Sequence, residues 1–372
     1  MSLLTDLSWS RTGDGGLRLR RQRFAARGSL RVLRAGICGT DLQIQRGVRP
    51  DGASVLGHEG LAEHCAPDGP VRGVFNPVDP ADQDRILGHS YDGVFRRRYP
   101  EAPEDLVRRG LVPARADLAA DLTVLAEPLG AVLYGWDLLG ADAAPAGTVG
   151  VWGSGTTAVL AALVGELRGV PTVLTHPRRE RLEYLRRREV LATTRLTDRA
   201  PGDGVTAAFV CLPREAAGEA FTQAARSVEE DAPIDLFGGF GTGTRHPLTG
   251  DLDLNSVRRS NVCGALRSGG ARPVTLTSGK RVRLTGHRGT SPGQLRRAQD
   301  LLAAYPERFG RVLSHVLSLE AAGPALRSMA TDPPGRRLIG EHLKVLIDPT
   351  MPAGTTRTPD LLTTVADLPH HC

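Results

Sequence analysis

Long apolar runs, paired cysteines, lysines and aromatic rings are all scarce in this sequence, and each scarcity removes a class of protein. No stretch reaches the roughly 18–20 apolar residues of a membrane-spanning helix. The opening MSLLTDLSWSRTGDGG carries acids and glycines where a secretory signal needs an apolar centre. Five cysteines in 372 residues, none spaced as C-x-x-C, are too few and too scattered for a disulfide framework. A soluble protein of the reducing cytoplasm, with no membrane partner, is the expectation. Lys280 and Lys344 are the only lysines, so the net charge of +6 is carried by arginines spread along the chain. With aromatics at 4% there are few platforms on which bases could stack, and a nucleic-acid partner is not expected.

What is present divides the chain by rhythm, and its length allows two domains with separate cores. Between Leu30 and Pro100 short strand-like runs (SLRVLRAGICG, VLGHEGLAEHC, VRGVFNPVDP, YDGVFRRRYP) alternate with glycine and proline, as in a small, mostly antiparallel β-domain. Asp121 or Thr123 is a plausible cap for a helix through LAEPLGAVLYGWDLLG, and AAPAGTVG reads as a linker. From Thr148 strands alternate with helical runs: TVGVWG, TTAVLAALVGELRG, PTVLTH, RRERLEYLRRREV, VTAAFVCL, REAAGEAFTQAARSV, IDLFGGF. That alternation is the sequence form of a parallel, doubly wound α/β sheet of the Rossmann type. A polar stretch from Gly241 to Arg283 suggests a hairpin or a partner contact. A strand (VRLTG) and a helix (SPGQLRRAQDLLAAYP) follow, and the residues beyond Pro349 read as a loosely held tail.

The first chemical motif is GVWGSGTTAVLAA. Gly153, Gly155 and Ala158 stand in G-x-G-x-x-A order, with Ser154, Thr156 and Thr157 between them, directly after a strand and at the start of a helix. The first glycine permits a tight turn, the second lets a pyrophosphate approach the backbone, and the alanine lets helix pack on strand. An NAD site places an acid about 20 residues on, at the end of the second strand. Here that position holds Thr175 or His176, with Arg178 and Arg179 just behind. A ribose 2′-phosphate is repelled by a carboxylate and welcomed by a guanidinium, so the expected cofactor is NADP(H), with NAD(H) the alternative. Covering the first turn of a solvated helix would be the bland role of the two arginines.

The second constellation is scattered. Cys38 closes an apolar run, His58 and Glu59 stand together in LGHEG, and Glu127 opens AEPLG at what reads as a helix start. Thiolate, imidazole and carboxylate form a set that zinc accepts while keeping one position open. Chemistry alone leaves each residue an ordinary role too: a buried thiol, a hydrogen-bonded histidine, a carboxylate near a helix N-terminus. His64 and Cys65 are read as a surface imidazole and a core thiol, Cys211 as a packed thiol, and His287 with Arg288 as near the cofactor or a partner subunit.

Taken in order, AGICGTDLQIQRG, LGHEG, AEPLGAVLYGW, VGVWGSGTTAVLAA and HLKVLIDP resemble the zinc-dependent medium-chain dehydrogenases, including alcohol, sorbitol and threonine dehydrogenases, from about Ser29 to Pro349. The resemblance implies a GroES-like, mostly antiparallel β catalytic domain (1–144 and 291–349), a Rossmann dinucleotide-binding domain (145–290) and a tail (350–372). It implies Cys38 and His58 as ligands of one catalytic zinc, with Glu59 or Glu127 as the third. It further implies that Asp41 orients the bound imidazole and that Thr40 takes the alcohol proton. The family's relay histidine is replaced by Gln43, and its four-cysteine lobe by the cysteine-free ADQDRI, so no structural zinc is expected. The implied activity is hydride transfer between a secondary alcohol, of polyol, sugar or cyclitol type, and its ketone, in a homodimer or homotetramer. Two alternatives stay open: a zinc-free quinone or enoyl reductase of the same superfamily, and a non-catalytic nucleotide-binding protein that kept the fold.

Overall fold

The computed structural model describes residues 3–25, 30–66, 69–79, 81–99, 104–140, 147–264 and 270–370. The chain forms two compact units, one of Met1–Glu127 with Leu295–Cys372, the other of Pro128–Gln294. It passes from one to the other inside two helices, Ala126–Leu138 and Pro292–Ala304.

The first unit is built on an eight-stranded sheet. Its main path runs Thr356–Arg357, Leu313–Ser318, Lys344–Asp348, Leu30–Ile37, Glu59–Ala66, Gly69–Phe75 and Leu111–Pro113, with Arg98–Tyr99 also paired to Leu30–Ile37. All neighbours are antiparallel except Leu313–Ser318 and Lys344–Asp348, the parallel pair, which are joined through the helix Leu319–Thr331. Leu30–Ile37 is the central strand, apolar at most positions and buried along almost its whole length, as a strand covered on both faces must be. A hairpin of Leu3–Arg11 and Leu17–Ala25 packs beside this sheet, and Leu7 and Leu17 join a core with Leu30, Phe75, Phe95, Leu326 and Ile347.

The register of the central strand creates a special position. Gly36 pairs with Glu59 on one side and with Leu346 on the other. A Cβ on Gly36 would lie 2.7 Å from both Glu59 Oε2 and Lys344 Cε. Only glycine leaves room there for an acid and a base to meet across the strand.

The second unit carries a seven-stranded sheet in the order Arg195–Thr197, Thr172–Thr175, Thr148–Trp152, Val205–Val210, Pro233–Asp235, Arg281–Thr285 and Arg272–Thr275. Six strands are parallel and the last is an antiparallel edge. The chain begins in the middle, winds outward in one direction, then returns and winds outward in the other. The order therefore reverses between Thr148–Trp152 and Val205–Val210, the place where ligands bind in open α/β sheets. Helices Thr156–Leu167, Arg179–Arg187 and Arg214–Ser227 make the crossovers.

Several expectations need correction. The segment from 350 onward is held, not loose, as far as residue 370. Arg357 pairs with Asp121 and Asp348, Ala120 N–H donates to Thr363, and Arg72 donates to the carbonyls of Val365 and Leu368. His371 and Cys372 lie outside the described residues, as do residues 143–146 of the expected linker. Asp121 and Thr123 do not cap a helix with their side chains. They flank or join a 3-10 turn, Leu122–Leu125, where Asp121 is committed to Arg34 and Arg357 and Thr123 donates to the Ala120 carbonyl. The run IDLFGGF is strand only over Pro233–Asp235. The hairpin expected in the 241–283 stretch is present, Arg272–Thr275 with Arg281–Thr285, preceded by a short helix, Leu254–Arg258.

Candidate active site

In the first unit the end of the central strand delivers Cys38 to the start of the helix Gly39–Gln45, while His58 immediately precedes the neighbouring strand and Glu59 opens it. One ligand atom from each of Cys38, His58 and Glu59 lies within 4.8 Å of the others. Asp41 ties these pieces together. Its carboxylate accepts from the Cys38 N–H at 2.8 Å and from the Gly57 N–H at 3.2 Å, so one buried side chain fixes the backbone beside both sulfur and imidazole. His58 Nδ1 is 3.6 Å from Asp41 Oδ1 and Nε2 is 4.0 Å from Glu59 Oε1. Thus Nδ1 faces the Asp41 carboxylate and Nε2 faces Glu59, although the separation from Asp41 is too long for a hydrogen bond. Thr40 sits half-buried in the first turn of the same helix.

Charge in this cluster is set by burial and by neighbours. Burial opposes ionisation of the Cys38 thiol, but the adjacent His58 and the charge of Lys344 outweigh it and hold its pKa below the ordinary value. Burial likewise opposes a charged His58, yet Asp41 and Cys38 raise its pKa well above the usual imidazole range. Lys344 was not foreseen as a site residue. Its ammonium donates to Glu59 Oε2 and, at 3.2 Å, to the Ile37 carbonyl, and both members of the pair are 1% exposed. Burial brings the Lys344 pKa down to about 8, against the opposing charges of Cys38 and Asp41. His89, also unforeseen, packs edge-on against the His58 ring with centroids 4.8 Å apart.

The donor set suits a zinc ion. Bonds of about 2.0–2.3 Å in a tetrahedron put ligand atoms about 3.4–3.8 Å apart, so the observed group needs only small side-chain rotations to close on a cation. Glu59 divides its oxygens, one toward Lys344 and one toward His58. Glu127 opens the helix Ala126–Leu138 and does not belong to this three-residue group. Among the described residues it is the one such group, and neither His64 nor Cys211 belongs to it. The side chain of Cys65 lies outside the described residues.

In the second unit the turn after Thr148–Trp152 has the features that close backbone approach requires. Gly153 has φ +137°, and a Cβ there would lie 2.7 Å from the Cys211 carbonyl oxygen and 3.2 Å from Ala158. Gly155 caps the helix Thr156–Leu167 with open space around the position a Cβ would take. Ser154 is buried, while Thr156 and Thr157 are half-buried. The Thr157 hydroxyl is hydrogen-bonded to the Cys211 thiol, whose pKa burial raises well above normal.

At the second strand's end His176 N–H donates to the Thr197 carbonyl, and the ring Nδ1 accepts from the Arg178 N–H at 3.2 Å. Arg178 caps the next helix by position. Arg179, largely exposed, pairs with Asp198 at 2.6 Å. Arg181 was concealed in the sequence by the arginines around it. It is 6% exposed and donates to the Ser154 carbonyl at 2.9 Å. His287 is buried against the rings of Tyr134 and Phe237, 3.7 Å from Asp235.

No protein-family model and no curated relative matches this chain. Solved structures do share its fold. A protein assigned as a zinc-binding dehydrogenase from Sinorhizobium meliloti, bound to NADP, aligns over 94% of this chain and 100% of its own at 20% identity, with a TM-score of 0.67. Alcohol dehydrogenase TADH from Thermus sp. ATN1 aligns over 92% and 99% at 16% identity, TM-score 0.64. Acetophenone reductase from Geotrichum candidum in complex with NAD aligns over 92% and 97% at 12% identity, TM-score 0.65. The chain has the mixed α/β fold, with a parallel sheet, of these dehydrogenases and reductases.

Proposed function

We propose that this protein is a zinc-dependent, NADP(H)-linked oxidoreductase that interconverts a secondary alcohol, of polyol, sugar or cyclitol type, and its ketone. The observation that carries the reading is the convergence of Cys38, His58 and Glu59 at one end of the first unit's sheet, in a chain whose second unit has a glycine turn at its strand-order reversal. On this reading the first unit is the GroES-like catalytic domain and the second the dinucleotide-binding domain.

Cys38, His58 and Glu59 would hold the zinc, with Glu127 as a carboxylate that can replace Glu59. A zinc ion there supplies a Lewis acid for the substrate oxygen. Asp41 fixes the backbone on either side of the site. A nicotinamide dinucleotide held at the Gly153–Ala158 turn would supply the hydride acceptor for alcohol oxidation, or the donor for ketone reduction, and Thr40 would pass the hydroxyl proton toward solvent. Gln43, buried in the same helix, has no basic nitrogen with which to extend the relay.

The NADP(H) preference rests on the missing acid after Thr172–Thr175 and on the arginines behind it. Arg178 and Arg179 are both candidates for the 2′-phosphate, Arg179 from beside Asp198. One observation favours a second reading, a zinc-free reductase: Lys344 already neutralises Glu59 without a metal. Turnover decides between them and the non-catalytic alternative. Zinc-loaded protein should oxidise NADPH in the presence of cyclic hydroxyketones and lose that activity to a chelator. Chelator-resistant reduction of enones or quinones supports the second reading, and no turnover on any of these substrates contradicts both.

A further inference from the structure

We propose that Arg181 is a positioning residue for the cofactor's diphosphate, acting through the Ser154 peptide rather than through the 2′-phosphate. The inference rests on the reading that Gly153–Ala158 cradles a nicotinamide dinucleotide. Arg181 lies in the helix Arg179–Arg187, yet its guanidinium is buried and reaches back to the carbonyl of Ser154, between the two glycines. Its guanidinium carbon sits 4.9 Å from the centroid of the Tyr184 ring, which restricts the side chain on its other face.

The consequence follows from the geometry of a peptide group. There are no cis peptide bonds among the described residues, so the Ser154 carbonyl and the Gly155 N–H point in opposite directions across one plane. Arg181 draws the carbonyl toward the helix that bears it. The Gly155 N–H is therefore turned away from Arg181, at the start of the helix Thr156–Leu167, whose first N–H groups have no intrahelical acceptors. Gly155 has nothing within 4 Å of its would-be Cβ, which leaves space for an anion to approach. A buried cation behind the turn also favours a negative group in front of it. Arg178 and Arg179 have a different placement, beside the strand end where a ribose 2′-substituent would be read.

Because the diphosphate is common to both cofactors, Arg181→Gln should weaken NADPH and NADH by the same factor, tenfold or more, leaving the ratio of their dissociation constants unchanged. Titration of the full-length protein, followed by nucleotide fluorescence, reads both constants. Arg181→Lys, which keeps a cationic donor, should recover a substantial part of the loss for both. Loss of NADPH affinity alone would make Arg181 a 2′-phosphate ligand and overturn the proposal, as would unchanged affinity for both cofactors. If Arg181→Gln does not fold, the wild-type Gly155 amide proton decides: it should shift downfield on addition of ADP-ribose, and an unmoved resonance overturns the proposal. Failure of wild-type protein to bind either dinucleotide or ADP-ribose would instead remove the cofactor reading itself.

Discussion

Replacing Lys344 with methionine tests the electrostatics of the candidate site most sharply. Methionine keeps much of the side chain's apolar bulk but removes the ammonium that contacts Glu59 Oε2 and the Ile37 carbonyl. Both partners are 1% exposed, so water cannot replace the lost cation without opening the sheet. Breaking a buried pair on one side strands the other charge, at a cost of about 3–5 kcal/mol. Metal-free Lys344→Met should therefore unfold in urea with about that much less stability in the first unit, monitored by a probe there such as Trp9 fluorescence. Adding Glu59→Gln to Lys344→Met should recover most of the loss, because an uncharged amide replaces the stranded carboxylate. Zinc should stabilise Lys344→Met more than wild type, since it offers Glu59 a new counter-charge. A loss below about 1 kcal/mol in metal-free Lys344→Met would mean that Lys344 and Glu59 do not form a buried ion pair.

Two further outcomes follow from other parts of the fold. Asp121 is buried, which raises its pKa, but hydrogen bonds and charge from Arg357 and Arg34 overcome this and hold it below the usual carboxylate range. Its stabilising contribution is thus complete above the unfolded-state value of about 3.9 and is lost as pH falls through the lower folded value. Asp121→Asn should lose stability at pH 7 and show a shallower decline below about pH 4 in urea titrations; an unchanged acid limb contradicts the assignment. Gly153→Ala places a Cβ 2.7 Å from the Cys211 carbonyl at φ +137°. It should destabilise the second unit by about 1–3 kcal/mol in thermal melts and abolish NADPH binding; wild-type nucleotide affinity would mean that the turn is not the binding element.

The division of labour between local and distant signals explains what the sequence revealed. The glycine turn and its flanking strands were legible because G-x-G-x-x-A and the strand–helix rhythm are local patterns with local causes. Cys38, His58 and Glu59 were legible as residue types, but only the pairing of Leu30–Ile37 with Glu59–Ala66 brings them together. Lys344 lies 285 residues from Glu59 and looked like part of an ordinary apolar strand. Gly36, the position that lets the two meet, carries no signal apart from that pairing. Arg181 was hidden among like residues, distinguished only by its burial. The segment after Pro349 lacked any period because its anchors, Arg72 and Asp121, lie far away in the chain.

The proposed function requires one metal ion at Cys38, His58 and Glu59, at one end of the first unit's sheet. Metal analysis of purified full-length protein after exposure to zinc and removal of excess should find one zinc per chain in the wild type and none retained in Cys38→Ser or His58→Ala. No bound metal in the wild type, or one zinc retained when both Cys38 and His58 are replaced, would contradict it.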